Sequence, residues 1–388
     1  MLGSILIIFL IIYFWEKASF PVKGLYINLF VFAGIGPLIW SWNHYYYNNE
    51  VYIYDGSIYF FIVSFLLIYL TSRLKIESDF TINNLNIIYF LLLPLSFISC
   101  ISTIYINTFF EVSGFLTIIV ILKYFFFPSV ALLIYNSKSG LLIAYALLLL
   151  LLIYIYSDWR STIFFIVITL FIGFSNRKIN NLSKAFILLS LPFGLVISFF
   201  QNTQSRFYSS LIYVVDSIEI LTYSIGIRLN SLRENKYAFD YLDGFGKQLD
   251  GYSYIESFQQ IIPSFIIPNE YDAGYYLSKV ISKDIGLVNI LDDGTSWGIN
   301  FISEFFINFG FSFFSTFLCV LFLTFFIAYP LKFFNNKFSK ISKFLFQIFM
   351  FFTLLEFVLF TTYLSAIFYS IILIFLINFY ERFFIRRN

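Results

Sequence analysis

Long apolar runs alternate with short polar connectors over the first two hundred residues, and again from residue 299 to the end. A helix needs about 20 apolar residues to cross the hydrocarbon core of a bilayer. Eleven runs come close to that length: 2–16, 25–42, 57–71, 85–106, 114–135, 140–156, 161–175, 185–200, 301–329, 344–360 and 364–380. A few polar residues part 140–156 from 161–175 and 344–360 from 364–380. Each pair reads as a tight hairpin or as one region split in two. The pattern predicts an all-α polytopic membrane protein with about eleven transmembrane helices, within a range of about ten to twelve.

The pattern changes between 201 and 298. This stretch of mixed polarity carries Arg206, Arg228, Arg233, Lys236, Lys247, Lys279 and Lys283, with many acids and eight of the 18 glycines. Three regions follow: a membrane bundle of about eight helices over 1–200, a large loop over 201–298, and further membrane helices over 299–388. A loop this long is uncommon without a task, and loops on a rigid scaffold are where chemistry tends to sit. Within it, from Phe207 to Leu232, the residues Phe207, Leu211, Val214, Val215, Ile218, Leu221, Ile225, Leu229 and Leu232 keep helical spacing. They predict an amphipathic helix lying along the membrane surface. Gly244, Gly246 and Gly251 then interrupt regular structure, and Pro263 and Pro268 bracket a short apolar piece.

Composition agrees with a membrane protein. The 388 residues are 60% hydrophobic and 12% charged, against about 25% charged in soluble domains. The net charge of +2 gives no reason to expect a nucleic-acid partner. Cys100 and Cys319 lie in apolar runs, which argues against a disulfide framework. The apolar N-terminus lacks a basic leader and reads as a retained helix rather than a secretory signal.

The basic residues set an orientation. With the first connector placed in the cytoplasm, fifteen of the 24 Lys and Arg fall on cytoplasmic segments, from Lys17 and Lys23 to Arg386 and Arg387. The short external connectors then hold Arg160 alone. Long loops count little in this rule, so the asymmetry places the N-terminus and the large loop outside and the C-terminus inside. The external stretch 40–54, dense in Trp and Tyr, fits an interfacial aromatic belt.

Candidate chemistry clusters at that external face. Arg160 stands in a very short turn, Asp158-Trp159-Arg160-Ser161. Its guanidinium fork suits bidentate phosphate binding; the plainer role is pairing with Asp158 or reaching headgroups. Arg206 follows the polar run 201–205 at headgroup depth, as a ligand or as an anchor. Arg228 and Arg233, near the end of the amphipathic helix, form a second clamp or face solvent. Asn300, Glu304 and Asn308 recur at i, i+4 and i+8, which puts them on one helix face. Glu304 would sit about 6 Å inside the outer boundary. A membrane-embedded carboxylate is costly and marks a functional site by default; the alternative is a structural hydrogen bond between helices. Lys123 falls within a span and Glu356 near the end of another. His44, the one histidine, stands in an aromatic run and reads as interfacial. No glycine-rich phosphate loop, GxSxG or Asp-x-Asp pair in an external loop is present.

The whole chain resembles the bacterial O-antigen polymerases (Wzy) and the wider group of oligosaccharide repeat-unit polymerases. The short external turn with Trp159-Arg160-Ser161 and the one large external loop late in the chain carry the likeness. So does Glu304 followed by Asn308-Phe309-Gly310 at the start of the span after that loop. The segment 252–268 is similar to the family's loop segment around a proline, with Ser264 where the family often has arginine. The related O-antigen ligases use a loop histidine, and this loop has none.

What the resemblance implies is a GT-C-like membrane glycosyltransferase of the bacterial inner membrane. It would transfer a growing glycan from undecaprenyl pyrophosphate to the next lipid-linked repeat unit on the periplasmic face. Arg160 and Arg206 would stabilise the leaving pyrophosphate and Glu304 would orient or deprotonate the acceptor. Arg228, Arg233, Lys279, Asn300 and Asn308 would bind substrate. Neither metal nor cofactor is expected, since arginines can carry the charge stabilisation. The partners are then the lipid-linked oligosaccharide, the bilayer and a polysaccharide chain-length regulator. The rival readings are a lipid-linked oligosaccharide flippase, which tends to be built from repeats that this chain lacks, an O-antigen ligase-type transferase, and a non-enzymatic membrane scaffold.

Overall fold

The computed structural model describes residues 2–39, 41–42, 56–76, 80–82, 87–108, 122–156, 161–175, 238–239, 242–243, 248–251, 253–254, 300–356 and 360–382. Among these, every regular element is helical. In chain order they are α1 (Leu2–Phe14), α2 (Phe20–Asn28) continued by a π-helical stretch (Leu29–Ile35), and α3 (Ser57–Thr71). A second π stretch (Ile88–Leu92) leads into α4 (Leu93–Thr108), followed by α5 (Phe126–Asn136), α6 (Gly140–Tyr156) and α7 (Ser161–Phe174). After the large loop come α8 (Phe301–Phe309), α9 (Phe313–Lys337), α10 (Lys340–Glu356) and α11 (Phe360–Tyr380).

Among the described residues, three helical runs are long and apolar enough to cross a membrane: Phe20–Ile39, Ile88–Tyr105 and Phe313–Asn335. Shorter apolar helices accompany them. The outward faces are apolar too. On α9, Phe313, Phe317, Leu321, Phe325 and Tyr329 recur every four residues and all are exposed. A helix facing water would carry polar residues on that stripe; lipid tails accept it. The α9 backbone hydrogen bonds close internally except at Pro330, which frees the Phe326 carbonyl to accept from the Tyr363 hydroxyl at 3.0 Å; such a helix suits a medium that offers no partners. The 25 residues of α9 span roughly 37 Å at 1.5 Å each, more than the hydrocarbon core of about 30 Å.

Several sequence expectations shift in register. The run 25–42 becomes a helix that already starts at Phe20, because Pro21 in the first turn has no N–H to leave unsatisfied. The run 344–360 becomes α10, Lys340–Glu356. The run 301–329 is two helices, not one: α8 ends at Phe309 and Gly310 takes φ +74°. Ser312 then opens α9, its Oγ accepting from the Ser315 N–H at 3.0 Å. The amphipathic stretch 207–232, the run 185–200 and most of the large loop lie outside the described residues, as do His44 and the aromatic stretch 43–54. Lys123 is described, with its Nζ 5.1 Å from the Tyr124 ring centre.

The chain forms two compact units that interleave in sequence. The first comprises Met1–Glu77, Tyr213–Phe333 and Met350–Ile367. Here α1 packs on α3 and on the π stretch after α2, and the Tyr26 hydroxyl donates to the Ile68 carbonyl at 2.7 Å. One face of α2 meets α10 through residues four apart. The Phe20 ring stacks on Phe351 at 4.9 Å, and a Cβ at Gly24 would fall on the Phe351 carbonyl. Small residues permit this close helix approach in membranes. One turn further on, the buried Asn28 Nδ2 donates to the Leu355 carbonyl at 2.7 Å. That carbonyl lies in the last turn of α10, where intrahelical partners run out. Asn28→Ala is expected to lower thermal stability in detergent by about 1 kcal/mol, near the upper half of what polar contacts in membrane bundles contribute.

The second unit comprises Ser78–Ile212, Phe334–Phe349 and Phe368–Asn388. In it α7 packs on α5, and α4 on both α5 and α6. Asn136 closes α5 by fastening the segment before α4: its Nδ2 donates to the Phe80 carbonyl at 3.0 Å and its Oδ1 accepts from the Ile82 N–H at 2.6 Å. Phenylalanine stacks fill the interior, with Phe334 on Phe346 at 4.1 Å and Phe125 on Phe349 at 5.6 Å.

Candidate functional site

The site lies in the first unit and is built on α8. Asn300 stands in extended backbone at φ −75°, ψ 160°, and its side chain accepts from the Ser303 N–H at 2.9 Å. It is therefore the N-cap of α8, satisfying one of the donors that a helix start leaves open. Glu304 follows within the first turn, where the helix dipole favours an anion. Asn300→Ala removes the cap and is expected to cost about 1 kcal/mol, read as a lowered melting temperature.

Glu304 and Asn308 are both fully buried, one turn apart. They meet Ser253, itself 1% exposed, which arrives from the loop 51 residues upstream of Glu304. The Asn308 Nδ2 donates to the Glu304 carbonyl at 2.8 Å and to the Ser253 Oγ at 2.7 Å. The Ser253 Oγ donates to the Glu304 Oε1 at 3.0 Å. The amide orientation follows from chemistry: a backbone carbonyl only accepts, so the nitrogen must face it. Among the described residues, the buried Asn308 Oδ1 and Ser303 Oγ have no hydrogen-bond partner.

Two further contacts hold the loop on α8. The Leu249 N–H donates to the Ile307 carbonyl at 3.2 Å, reaching an acceptor that the end of the helix leaves open. The chain then turns through Asp250 and Gly251, both at positive φ, and the Tyr254 N–H donates to the Gly251 carbonyl at 3.1 Å. This turn delivers Ser253 and Tyr254 side by side. The Tyr254 ring stacks on Phe309 at 5.8 Å and lies 5.7 Å from Phe322, which forms an apolar wall beside the polar group. Burial first, and then the neighbouring Glu304 carboxylate, push the Tyr254 phenol well above its ordinary value. Tyr254 is thus a neutral wall residue across the physiological range.

Of the residues expected from sequence, Glu304 and Asn308 come together, and Asn300 caps the helix that carries them. Arg160, Arg206, Arg228, Arg233 and Lys279 lie outside the described residues. Ser253 carries no signal in the sequence by itself, as a serine in a polar loop. Comparison with protein-family models, with curated proteins and with solved structures returns no match for the chain.

Chemically, the arrangement holds one carboxylate in a water-poor setting, with one oxygen fixed by a hydroxyl donor. Such a group can accept or orient a proton on a substrate hydroxyl. It is also a poor place for an idle charge, since burial disfavours the ionised form unless partners compensate.

Proposed function

We propose that the chain is a multi-pass glycosyltransferase that polymerises lipid-linked oligosaccharide repeat units at the periplasmic face of a bacterial inner membrane. The observation that carries this reading is Glu304: a fully buried carboxylate, hydrogen-bonded by a loop serine, on a short helix that breaks just before a helix of span length. The motif around it is also the closest local likeness to the O-antigen polymerases. In this reading the bundle has about eleven spans in a GT-C-like arrangement, and the large loop caps it from outside.

The reaction needs one bond made and one broken. The hydroxyl oxygen of the acceptor sugar bonds to the anomeric carbon of the donor glycan. The bond from that carbon to pyrophosphate oxygen breaks, and its electron pair leaves with undecaprenyl pyrophosphate. The hydroxyl proton passes to Glu304. Arg160 and Arg206 hold the developing negative charge on the leaving group, a task to which fixed guanidinium groups are suited. Arg228, Arg233, Lys279 and the Asn308 amide contact the substrate, with a chain-length regulator as the protein partner.

Deleting the gene and separating the surface polysaccharide on a gel tests this. The expected result is collapse of the ladder to single repeat units displayed outside. A full ladder, or repeat units retained inside the cell as a flippase defect would leave them, contradicts it.

A further inference from the structure

Three hydrogen bonds around Glu304 have a fixed direction. The Asn308 amide can only donate to the Glu304 carbonyl, so its second N–H is the one that meets Ser253 at 2.7 Å. The Ser253 oxygen is thereby used as an acceptor, and its one O–H points to the Glu304 Oε1 at 3.0 Å. This chain of hydrogen bonds ties the Glu304 carboxyl to the loop, since Ser253 reaches α8 through the turn at Asp250 and Gly251 and the Leu249 contact.

We propose that Ser253 is a positioning residue for Glu304, which holds the carboxyl by Oε1 in the orientation that the transfer reaction needs, and does so only while the loop is docked on α8. This rests on the glycosyl-transfer reading above. It explains why a buried serine, asparagine and glutamate are linked in a line. It also gives Asn308 a role inside the site in addition to any contact with sugar.

The test measures chain extension in membranes carrying Ser253→Ala, Ser253→Thr, Glu304→Gln and Glu304→Gln with Ser253→Ala, at matched protein levels. Ser253→Ala is expected to lower turnover about 10–100-fold, the loss of a hydrogen bond to a charged group, with KM for the lipid-linked repeat unit unchanged. Ser253→Thr keeps the hydroxyl and restores most of the turnover. In the Glu304→Gln background, Ser253→Ala adds no further loss, because the group it positions is gone. Wild-type turnover in Ser253→Ala overturns the inference. So does an equal loss with and without Glu304 that threonine fails to restore, which marks a purely structural serine. If wild-type membranes extend no chains, it is the polymerase reading itself that fails, and the inference falls with it.

Discussion

Glu304→Gln is expected to lower chain extension about 10²–10⁴-fold, the range that a positioned general base contributes. The substitution keeps the shape of the side chain and an oxygen that can accept from the Ser253 hydroxyl. The hydrogen bonds from Asn308 to Ser253 and from Ser253 to residue 304 can therefore persist. What is lost is the capacity to take a proton. The measurement is product formed per unit of protein in the membrane, with the protein quantified by immunoblot. Near-normal accumulation with collapsed activity is the expected pair of results. Glu304→Ala is a harsher change, since it leaves the buried Ser253 hydroxyl without its acceptor, at a cost of about 1–3 kcal/mol in stability.

A clear stability loss is expected at Gly310. Its backbone sits at φ +74°, ψ 167°, a region that residues with a Cβ essentially never occupy, at a strain of about 1–3 kcal/mol. A Cβ there would also meet the end of the exposed Gln248 side chain, which can swing aside. Gly310→Val should therefore destabilise the protein by about 1–3 kcal/mol, read as a drop in melting temperature in detergent. Gln248 adjoins Leu249, whose N–H holds the loop to α8. The same substitution should thus loosen the docking of Ser253. Activity is expected to fall further than Ser253→Ala alone would take it. A melting temperature unchanged from wild type would show that the break between α8 and α9 does not depend on glycine.

Much of the helical framework was legible because lipid imposes a coarse demand. Runs such as 140–156 and 57–71 reappear as α6 and α3 with the same bounds, since turns and charges mark their ends clearly. The break at Gly310 was not legible. Apolar residues crowd both sides of it, so a pattern of hydropathy runs through, and only the backbone angle separates α8 from α9. The spacing of Glu304 and Asn308 did place both on one face. The same spacing extends to Asn300, but Asn300 stands one step before the helix and serves as its cap. Ser253 was out of reach for a different reason. Its contact with Glu304 is non-local, and nothing in the composition of a polar loop distinguishes a serine that docks from one that does not. The arginines that the charge pattern singles out, Arg160 and Arg206 among them, lie outside the described residues.

The outward faces carry a related lesson. Large exposed apolar side chains on α9 would be a liability in water, yet they continue in register over four turns. The same stripe that made the run obvious in sequence is what lipid covers. The polar residues left inside, Ser253, Glu304 and Asn308 among them, are then the informative minority. Beside helices whose outward faces are apolar, a buried charged group stands out by cost alone.

One measurement bears on the centre of this account: extension of lipid-linked repeat units, extracted from the deletion strain, by the purified protein in lipid vesicles. The wild-type protein should lengthen them into a ladder with release of undecaprenyl pyrophosphate, and Glu304→Gln should leave them as single units. A ladder of equal length from both proteins would remove Glu304 from the chemistry, and no ladder from the wild type would remove the chemistry itself.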